Sequence, residues 1–235
     1  KEHDLLICFK NFKKDDPIFE SNQLKKIKHI KYLDNNNFND FDWGSYERIA
    51  KAYNDKIIFF MNCHSYPIKN NWLYYFANNY DDNTVLGPGG SFESMVNSAL
   101  NGIHTKNKIK SYFYALANLY KFPIFPNPHL RSNCFMISSE SFLKLKFNKK
   151  YKYKKIGTWI NESGREGMTN YLKKQKFKIY VINSDGLKFD ETGWSDSDTY
   201  ACKNQDKLII SDKFSRIFDN SSTEEREKIK KYIWG

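Results

Sequence analysis

The run Ile57–Met61, five apolar residues with no polar alternation, constrains the fold more than any other feature. A short unalternating apolar segment is typical of a strand that is buried on both faces, as in a parallel sheet covered by helices. Segments of helical periodicity lie on both sides of it, at 46–53 and 71–80, and Ser45 is the predicted N-cap of the first. The pattern indicates strands and helices that follow one another closely.

This alternation extends along the first half of the chain. Strand-like runs at 5–9, 27–33, 57–61 and 84–87 are separated by helical patterns, which favours a layered α/β fold. In the second half the pattern predicts strands at 134–137 and 178–182, and helices at 139–145, 168–176 and 223–234. A chain of 235 residues with no internal repeat predicts a single domain.

The chain is basic, with 38 Lys and Arg against 27 Asp and Glu. A net charge of +11 favours anionic partners such as nucleic acid, anionic lipid or phosphate-bearing substrates. The alternative is a lysine-rich solvated surface that arises from AT-biased coding. Residues 149–155 alternate Lys with Tyr, and this segment either stacks on bases or forms an exposed loop.

Four cysteines at positions 8, 63, 134 and 202 show no metal-site or disulfide spacing. Cys8 and Cys134 fall inside apolar runs, where cysteine acts as a small hydrophobe. We therefore expect a reduced, cytoplasmic protein. No apolar run approaches the roughly 20 residues that a membrane-spanning helix needs.

Loops at the carboxyl ends of the predicted strands are the places to look for a ligand site. The segment 34–45 leads from a strand into a helix start, where it either binds a phosphate or forms an ordinary capped turn. After the strand at 57–61 comes Asn62-Cys63-His64-Ser65, with a histidine two residues beyond the asparagine.

These segments together resemble the core of GT-A type glycosyltransferases. The resemblance rests on Asp42-Trp43-Gly44-Ser45, on the strand that ends at Asn62, and on Pro67 followed by Asn71-Trp72-Leu73. It narrows to bacterial capsular and rhamnan synthesis proteins (rhamnan synthesis protein F-like) through residues 128–137, Glu162-Ser163-Gly164 and Met168-Thr169. It covers about residues 30 to 215.

The resemblance implies a mostly parallel, GT-A-like (Rossmann-like) central sheet flanked by helices in a single domain over 1–235. Residues 1–100 would bind the nucleotide sugar, and 101–235 would form the acceptor side with a C-terminal helix. It implies a nucleotide-diphosphate sugar donor and a surface polysaccharide or lipid-linked glycan acceptor. The donor-binding residues it implies are Asp42, Ser45, Asn62 and His64. His129, Arg131 and Asn133 are further candidates for the donor site.

The same resemblance gives Glu162 the role of the base in an inverting transfer, which needs one carboxylate near the acceptor hydroxyl. Glu166 is the rival for this role, followed by Asp190 and Glu191. The alternative for Glu162 is that it only places a charge at a helix start.

The loop at 62–64 departs from the acidic Asp-x-Asp motif of the family, so no cofactor is certain. Asn62 and His64 would be a poor Mg²⁺ site, although His64 is a possible ligand for Mn²⁺. The literal string Asp40-Phe41-Asp42 is a lesser candidate for the metal motif. Without a metal, cationic side chains must stabilise the diphosphate. We expect Arg131 and His129 first, then Arg165, Lys203 and Arg216.

Two alternatives to an active enzyme stay open. One is a catalytically inactive GT-A-like scaffold, which the missing acidic motif favours. The other, a basic nucleic-acid-binding module, has no motif to support it. The basic charge also suggests peripheral contact with the inner face of a membrane.

Overall fold

Strands and short helices alternate along the chain. The computed structural model describes residues 2–36, 38–101 and 107–235. The strands are β1 (Leu6–Lys10), β2 (Ile30–Asp34), β3 (Ile57–Met61), β4 (Tyr66–Pro67), β5 (Thr84–Gly87), β6 (Gly90–Ser91), β7 (His129–Leu130), β8 (Cys134–Ser138), β9 (Lys178–Ile182), β10 (Lys188–Phe189) and β11 (Ile210–Ser211). The helices are α1 (Asn22–Lys25), α2 (Phe41–Ala52), α3 (Trp72–Asn79), α4 (Met95–Leu100), α5 (Lys108–Leu119), α6 (Ser139–Leu143), α7 (Lys155–Ser163), α8 (Met168–Lys174), α9 (Lys213–Asn220) and α10 (Thr223–Trp234), with 3-10 helices at Pro17–Glu20 and Glu191–Asp196.

The central sheet has five strands in the order β10-β9-β5-β8-β3. Only β5 and β9 run parallel, and the other three neighbouring pairs are antiparallel. The predicted α/β class is confirmed, but the prediction of a mostly parallel sheet is wrong. The reason is that β8 enters between β3 and β5 in the opposite direction, and the direction of a strand leaves no mark on its apolar pattern.

Three smaller pairs of strands accompany this sheet. β1 and β2 form a parallel pair, and β4–β11 and β6–β7 are short antiparallel pairs. The β1–β2 pair packs against the main core through Leu6, Cys8 and Tyr32.

β3 lies at one edge of the five-stranded sheet. Phe60 is its buried residue, whereas the side chain of Ile57 is 56% exposed. The prediction that this strand is buried on both faces therefore holds only in part. Its unbroken apolar pattern reflects packing of alternate residues on two separate clusters, since Phe60 and Ile58 contact one and Phe59 and Met61 the other.

Aromatic rings dominate the main hydrophobic core. Trp43 stacks on Phe142 with 6.1 Å between ring centroids, and Phe60 and Phe135 pack beside them. Trp194 is fully buried in the same cluster. Because this core takes residues from both predicted halves of the chain, those halves pack as one unit.

Helix α2 begins at Phe41, four residues before the N-cap that the sequence predicts. Ser45 lies buried inside the helix, where its hydroxyl donates to Asp34 Oδ2 at 2.6 Å, so the N-cap prediction is wrong. The turn of Asp40 lies against the helix, and a Cβ on Gly44 would stand 2.0 Å from the Asp40 carboxyl carbon. Glycine at position 44 is what allows this close approach.

The boundaries of two further helices bear on the predictions, one as a correction and one as a confirmation. Helix α7 covers Lys155–Ser163, so Glu162 lies near the end of one helix rather than before the start of the next. The predicted C-terminal helix is confirmed as α10, with Ser222 as its N-cap and Glu225 completing a capping box. None of the described helices is long and apolar enough to cross a membrane.

Candidate active site

Two loops that the sequence singled out meet at one end of the central sheet. β3 and β8 are antiparallel with Met61 opposite Cys134, so the loop that leaves β3 lies beside the loop that enters β8. The backbone N–H of Asn62 donates to the carbonyl of Asn133 at 2.9 Å. The predicted residues of segments 62–64 and 131–133 are therefore neighbours.

The loop after β3 is held by the side chain of Asn62. Its Oδ1 accepts hydrogen bonds from the backbone N–H of His64 at 3.1 Å and from the hydroxyl of Ser65 at 2.8 Å. Asn62 also hydrogen-bonds Asp42, which stands in the first turn of α2. Desolvation by packed protein atoms raises the pKa of Asp42, although nearby Lys10 and His64 oppose the shift. Asp42, Asn62 and His64 thus come together, as the resemblance implies.

Arg131, in the loop at 131–133, forms a buried ion pair with Asp212. Both terminal nitrogens of Arg131 donate to the carboxylate of Asp212, and the guanidinium stacks 3.5 Å from the centre of the Tyr200 ring. Asn133 Nδ2 donates to Asp212 Oδ2 at 2.6 Å. Ser215 N–H donates to Asp212 Oδ1, because Asp212 is the N-cap of α9. These bonds hold the pKa of Asp212 below its usual range in spite of burial, and the same pairing raises the pKa of Arg131.

The positive charge of Arg131 is therefore balanced inside the protein. A guanidinium that already shares a buried carboxylate attracts a diphosphate less strongly than a free one. Sequence reasoning missed Asp212. The signal was present, since an apolar run at 208–210 ends in Ser211-Asp212 and Ser215 follows three residues later as a capping pattern.

Glu162 faces this ion pair from the end of α7. Its Oε1 accepts a hydrogen bond from the backbone N–H of Ser132 at 2.8 Å. Desolvation raises the pKa of Glu162, and the hydrogen bond and the charge of Arg131 offset only part of that rise. A desolvated carboxylate with a raised pKa is typical of a general base or acid.

Asn133 contributes an unsatisfied polar atom. Within the described part of the chain, its Oδ1 is buried and has no hydrogen-bond partner, whereas its Nδ2 is used by Asp212. A buried acceptor without a donor costs about 1–3 kcal/mol.

His129 is buried, and its Nδ1 lies 2.7 Å from the carbonyl of Asn127. Desolvation lowers its pKa, which disfavours the charged imidazolium, and the Asn127 carbonyl is placed to accept a proton from Nδ1. Burial therefore weakens the case for His129 as the cation that the sequence analysis expects for a diphosphate.

Arg216 is a better candidate than His129 for a cation that binds the diphosphate. Its two terminal nitrogens each donate to the carbonyl of His64 at 3.2 Å, and its guanidinium lies 5.3 Å from the centre of the Tyr66 ring. Unlike Arg131, it forms no salt bridge with any residue that the structure describes. Arg216 thus brings an uncompensated positive charge to the loop at 62–64.

Other predicted residues lie elsewhere. Ser45 is committed to Asp34, as described above. Glu166 is exposed and pairs with Lys174. Arg165 donates to the carbonyl of Leu119, and Lys203 lies near Asp196 on the surface. The outside candidates also have other roles, because Asp190 caps a 3-10 helix and Glu191 pairs with Lys173.

The string Asp40-Phe41-Asp42 is split between two environments. Asp40 is buried and pairs with Arg48 and Lys10, which holds its pKa well below the usual range. Among residues 2–36, 38–101 and 107–235, no group of three His, Cys, Asp or Glu side chains is arranged to hold a metal ion. Beside the loop at 62–64 the described residues place one carboxylate, Asp42, and the oxygen of Asn62 is already used by its own turn. One carboxylate is a minimal donor set for Mg²⁺, which usually takes one or two carboxylates and completes its shell with waters and substrate phosphates.

Comparison with known proteins adds no family assignment. No protein-family model, curated protein or solved structure matches this chain.

Proposed function

We propose that this chain is a glycosyltransferase that moves a sugar from a nucleotide-diphosphate donor to a surface polysaccharide or lipid-linked glycan. The observation that carries the proposal is the meeting of the loops at 62–64 and 131–133 with the desolvated carboxylate of Glu162. The proposal includes a GT-A-like arrangement of the donor site. The mixed sheet does not by itself establish that arrangement.

In the proposed reaction Glu162 removes the proton of an acceptor hydroxyl. The hydroxyl oxygen then bonds to the anomeric carbon of the donor from the face opposite the diphosphate, and the bond from that carbon to the diphosphate oxygen breaks. The bonding electron pair leaves with the diphosphate. The configuration at the anomeric carbon inverts because attack and departure occur on opposite faces.

The leaving diphosphate needs positive charge or hydrogen-bond donors. Arg216 supports this role because its guanidinium lies at the loop after β3 without a carboxylate partner. Arg131 acts at one remove, since it pairs with Asp212, which in turn holds Asn133, and its positive charge lowers the pKa of Glu162 against the larger effect of desolvation. Asp42 and Asn62 would bind the nucleoside or sugar hydroxyls.

Donor binding is the first test. Isothermal titration of the folded protein with UDP-, GDP-, dTDP- and CDP-sugars should reveal one preferred donor. Arg216→Gln should weaken that binding by about tenfold or more, because a charge-assisted contact to phosphate is worth roughly 1.5–3 kcal/mol. A folded protein that binds none of these donors would rule out the proposal.

Glu162→Gln tests the base. Loss of a general base typically lowers kcat by about 10²–10⁴, and donor affinity should change little because the base faces the acceptor. Glu140→Gln is the matched control, because Glu140 is an exposed helix residue paired with Lys144. Unchanged turnover in Glu162→Gln would remove Glu162 as base, and loss in Glu166→Gln instead would favour its rival.

A catalytically inactive scaffold is the second candidate function. The departure from the acidic motif at 62–64 and the internal pairing of Arg131 favour it. Donor binding without turnover, across a panel of glycan acceptors, would support this candidate over the active enzyme.

A further inference from the structure

Helix α5 presents its apolar face to solvent. Ser111 and Ala115 are its buried residues, and Ala115 packs against α4. The opposite face consists of large apolar and aromatic side chains at positions i, i+3, i+4, i+7 and i+11. We call this the α5 face: Ile109, Tyr112, Phe113, Leu116 and Tyr120, which are 71%, 57%, 65%, 44% and 66% exposed.

This pattern is the reverse of an ordinary surface helix, which turns its apolar stripe toward the core. A contiguous exposed apolar stripe on a soluble surface marks a place of contact with a partner or membrane. Lysines border the stripe: Lys108 and Lys110 lie in the first turn of α5, and Lys121 follows its last turn.

The lysine-rich segment 149–155 adjoins the carboxyl end of α5. Tyr151 hydrogen-bonds Tyr120, and the ammonium of Lys121 lies 5.5 Å from the centre of the Tyr151 ring. Lys150 lies over the same ring at 5.4 Å. Residues 149–155 thus extend the basic border of the α5 face.

The charge of the whole chain is concentrated in this region of the sequence. Residues 94–161 contain 12 basic residues and one acidic residue, Glu140. The remaining 167 residues contain 26 basic and 26 acidic residues, so they are neutral as a set. A lysine enrichment that is uniform along the chain would not produce this distribution.

We propose that the α5 face and segment 149–155 dock the protein onto an anionic lipid bilayer. Helix α5 has 12 residues, about 18 Å, which is too short to cross a hydrocarbon core of about 30 Å. It would lie in the plane of the interface with its apolar stripe among the acyl chains and its lysines at the headgroups. Tyr and Phe suit this position, since aromatic rings concentrate at membrane interfaces.

A second copy of the chain is a poorer occupant of the same face. A symmetric contact would bring two lysine-rich borders together, and like charges at an interface oppose association. An anionic surface is complementary to both the apolar stripe and its border.

Docking would place a bilayer close to the candidate active site. Arg165 holds the carboxyl end of α5 through the carbonyl of Leu119, and Arg165 is three residues from Glu162. Their Cα atoms are therefore at most about 11 Å apart. The inference stands on α5 and its charges, whether or not the proposed sugar transfer is correct.

Vesicle sedimentation tests the inference. The full chain should sediment with vesicles of phosphatidylcholine containing 30% phosphatidylglycerol, and not with phosphatidylcholine alone. The variant Ile109→Ser/Phe113→Ser should lower the partition coefficient at least about tenfold through lost apolar burial. Lys108→Gln/Lys110→Gln should lower it about fivefold for each lysine removed.

Matched controls separate the face from a general surface effect. Tyr74→Ser/Leu187→Ser changes two apolar residues that are 60% and 56% exposed elsewhere, and Lys26→Gln/Lys28→Gln changes exposed lysines outside the face. Both should sediment like the wild type. Circular dichroism verifies that every variant is folded. We expect all of them to fold, because the substituted side chains are exposed.

Absence of sedimentation with the anionic vesicles would overturn the inference, and so would equal loss in the control variants. A concentration-dependent dimer that Ile109→Ser/Phe113→Ser abolishes, without vesicle binding, would assign the face to a second copy. Binding of single-stranded polynucleotide instead of vesicles, lost in the same variants, would assign it to nucleic acid.

Discussion

The substitution Asp212→Asn tests the buried ion pair most directly. The side chains of Arg131 and Asp212 are 11% and 4% exposed, so both charges are largely removed from water. Removing one partner of such a pair typically costs about 3–5 kcal/mol, because the other charge is left uncompensated. Asparagine keeps the capping oxygen for Phe214 and Ser215, so the variant isolates the charge from the N-cap of α9.

That cost is large on the scale of a domain of this size. Domains are stable by about 5–15 kcal/mol, and 1 kcal/mol shifts the Tm of a 150–250-residue domain by about 2–4 °C. We therefore expect Asp212→Asn to lower the Tm by roughly 6–20 °C. Urea unfolding, followed by circular dichroism, would measure the change in the free energy of unfolding.

A double-mutant cycle with Arg131→Met assigns the effect. Because each single variant strands one partner, the double variant should be more stable than the sum of the single losses predicts, by at least about 1 kcal/mol. Asp55→Asn is the control, since Asp55 pairs with Lys56 at the fully exposed surface and should change nothing measurable. A loss below about 1 kcal/mol in Asp212→Asn would refute the interpretation of Arg131 as internally compensated.

The pH dependence of stability gives an independent check. The folded-state pKa of Asp212 is lowered, so its contribution is present above the unfolded value of about 3.9 and is lost as pH falls through the folded pKa. The stability difference between wild type and Asp212→Asn should therefore shrink as the pH drops below about 4. A difference that stays constant down to pH 2 would contradict the assignment.

Three further outcomes follow from the site and its surroundings. Glu162→Gln should raise the Tm at pH 7. The pKa of Glu162 is raised in the folded state, so stability is lost as the pH rises through that pKa, and a neutral glutamine avoids this loss. An unchanged or lower Tm would show that the carboxylate stabilises the fold. Gly44→Ala should destabilise by about 2 kcal/mol or more in urea unfolding, because its Cβ would meet the Asp40 carboxylate, whereas Gly193→Ala, whose Cβ meets nothing closer than 3.6 Å, should stay within about 0.5 kcal/mol. Native protein at pH 8 should react at exposed Cys63 with a thiol reagent and leave Cys134 and Cys202 unmodified, since burial raises the pKa of both to about 12; early labelling of Cys134 by mass spectrometry would contradict its burial.

Local pattern was enough to locate most of the strands and helices. Runs such as 84–87 and 178–182 appear as β5 and β9, and the helix predicted at 223–234 appears as α10. These elements follow from periodicity and capping, which are properties of neighbouring residues. Helices α4, α5, α7 and α9 were not predicted, and the pattern of α5 carries no sign of whether its apolar face is covered.

The candidate site was likewise predicted only in part from the sequence. The sequence singled out Asp42, Asn62, His64, Arg131, Asn133 and Glu162, and the structure brings these residues to one end of the central sheet. The capping pattern at 212–215 was visible in the sequence, but the pairing of Asp212 with Arg131 was not, because a contact between residues 81 positions apart exists only in the packed chain.

By itself, then, the sequence determined the α/β class, the positions of the longer strands and the polar loops that are candidates for a site. Only the tertiary structure decided the direction of β8, the meeting of those loops, the burial of His129, the internal pairing of Arg131 and the outward face of α5. Each of these depends on which distant groups share a low-dielectric environment, and burial and charge compensation are properties of the packed chain rather than of any local segment.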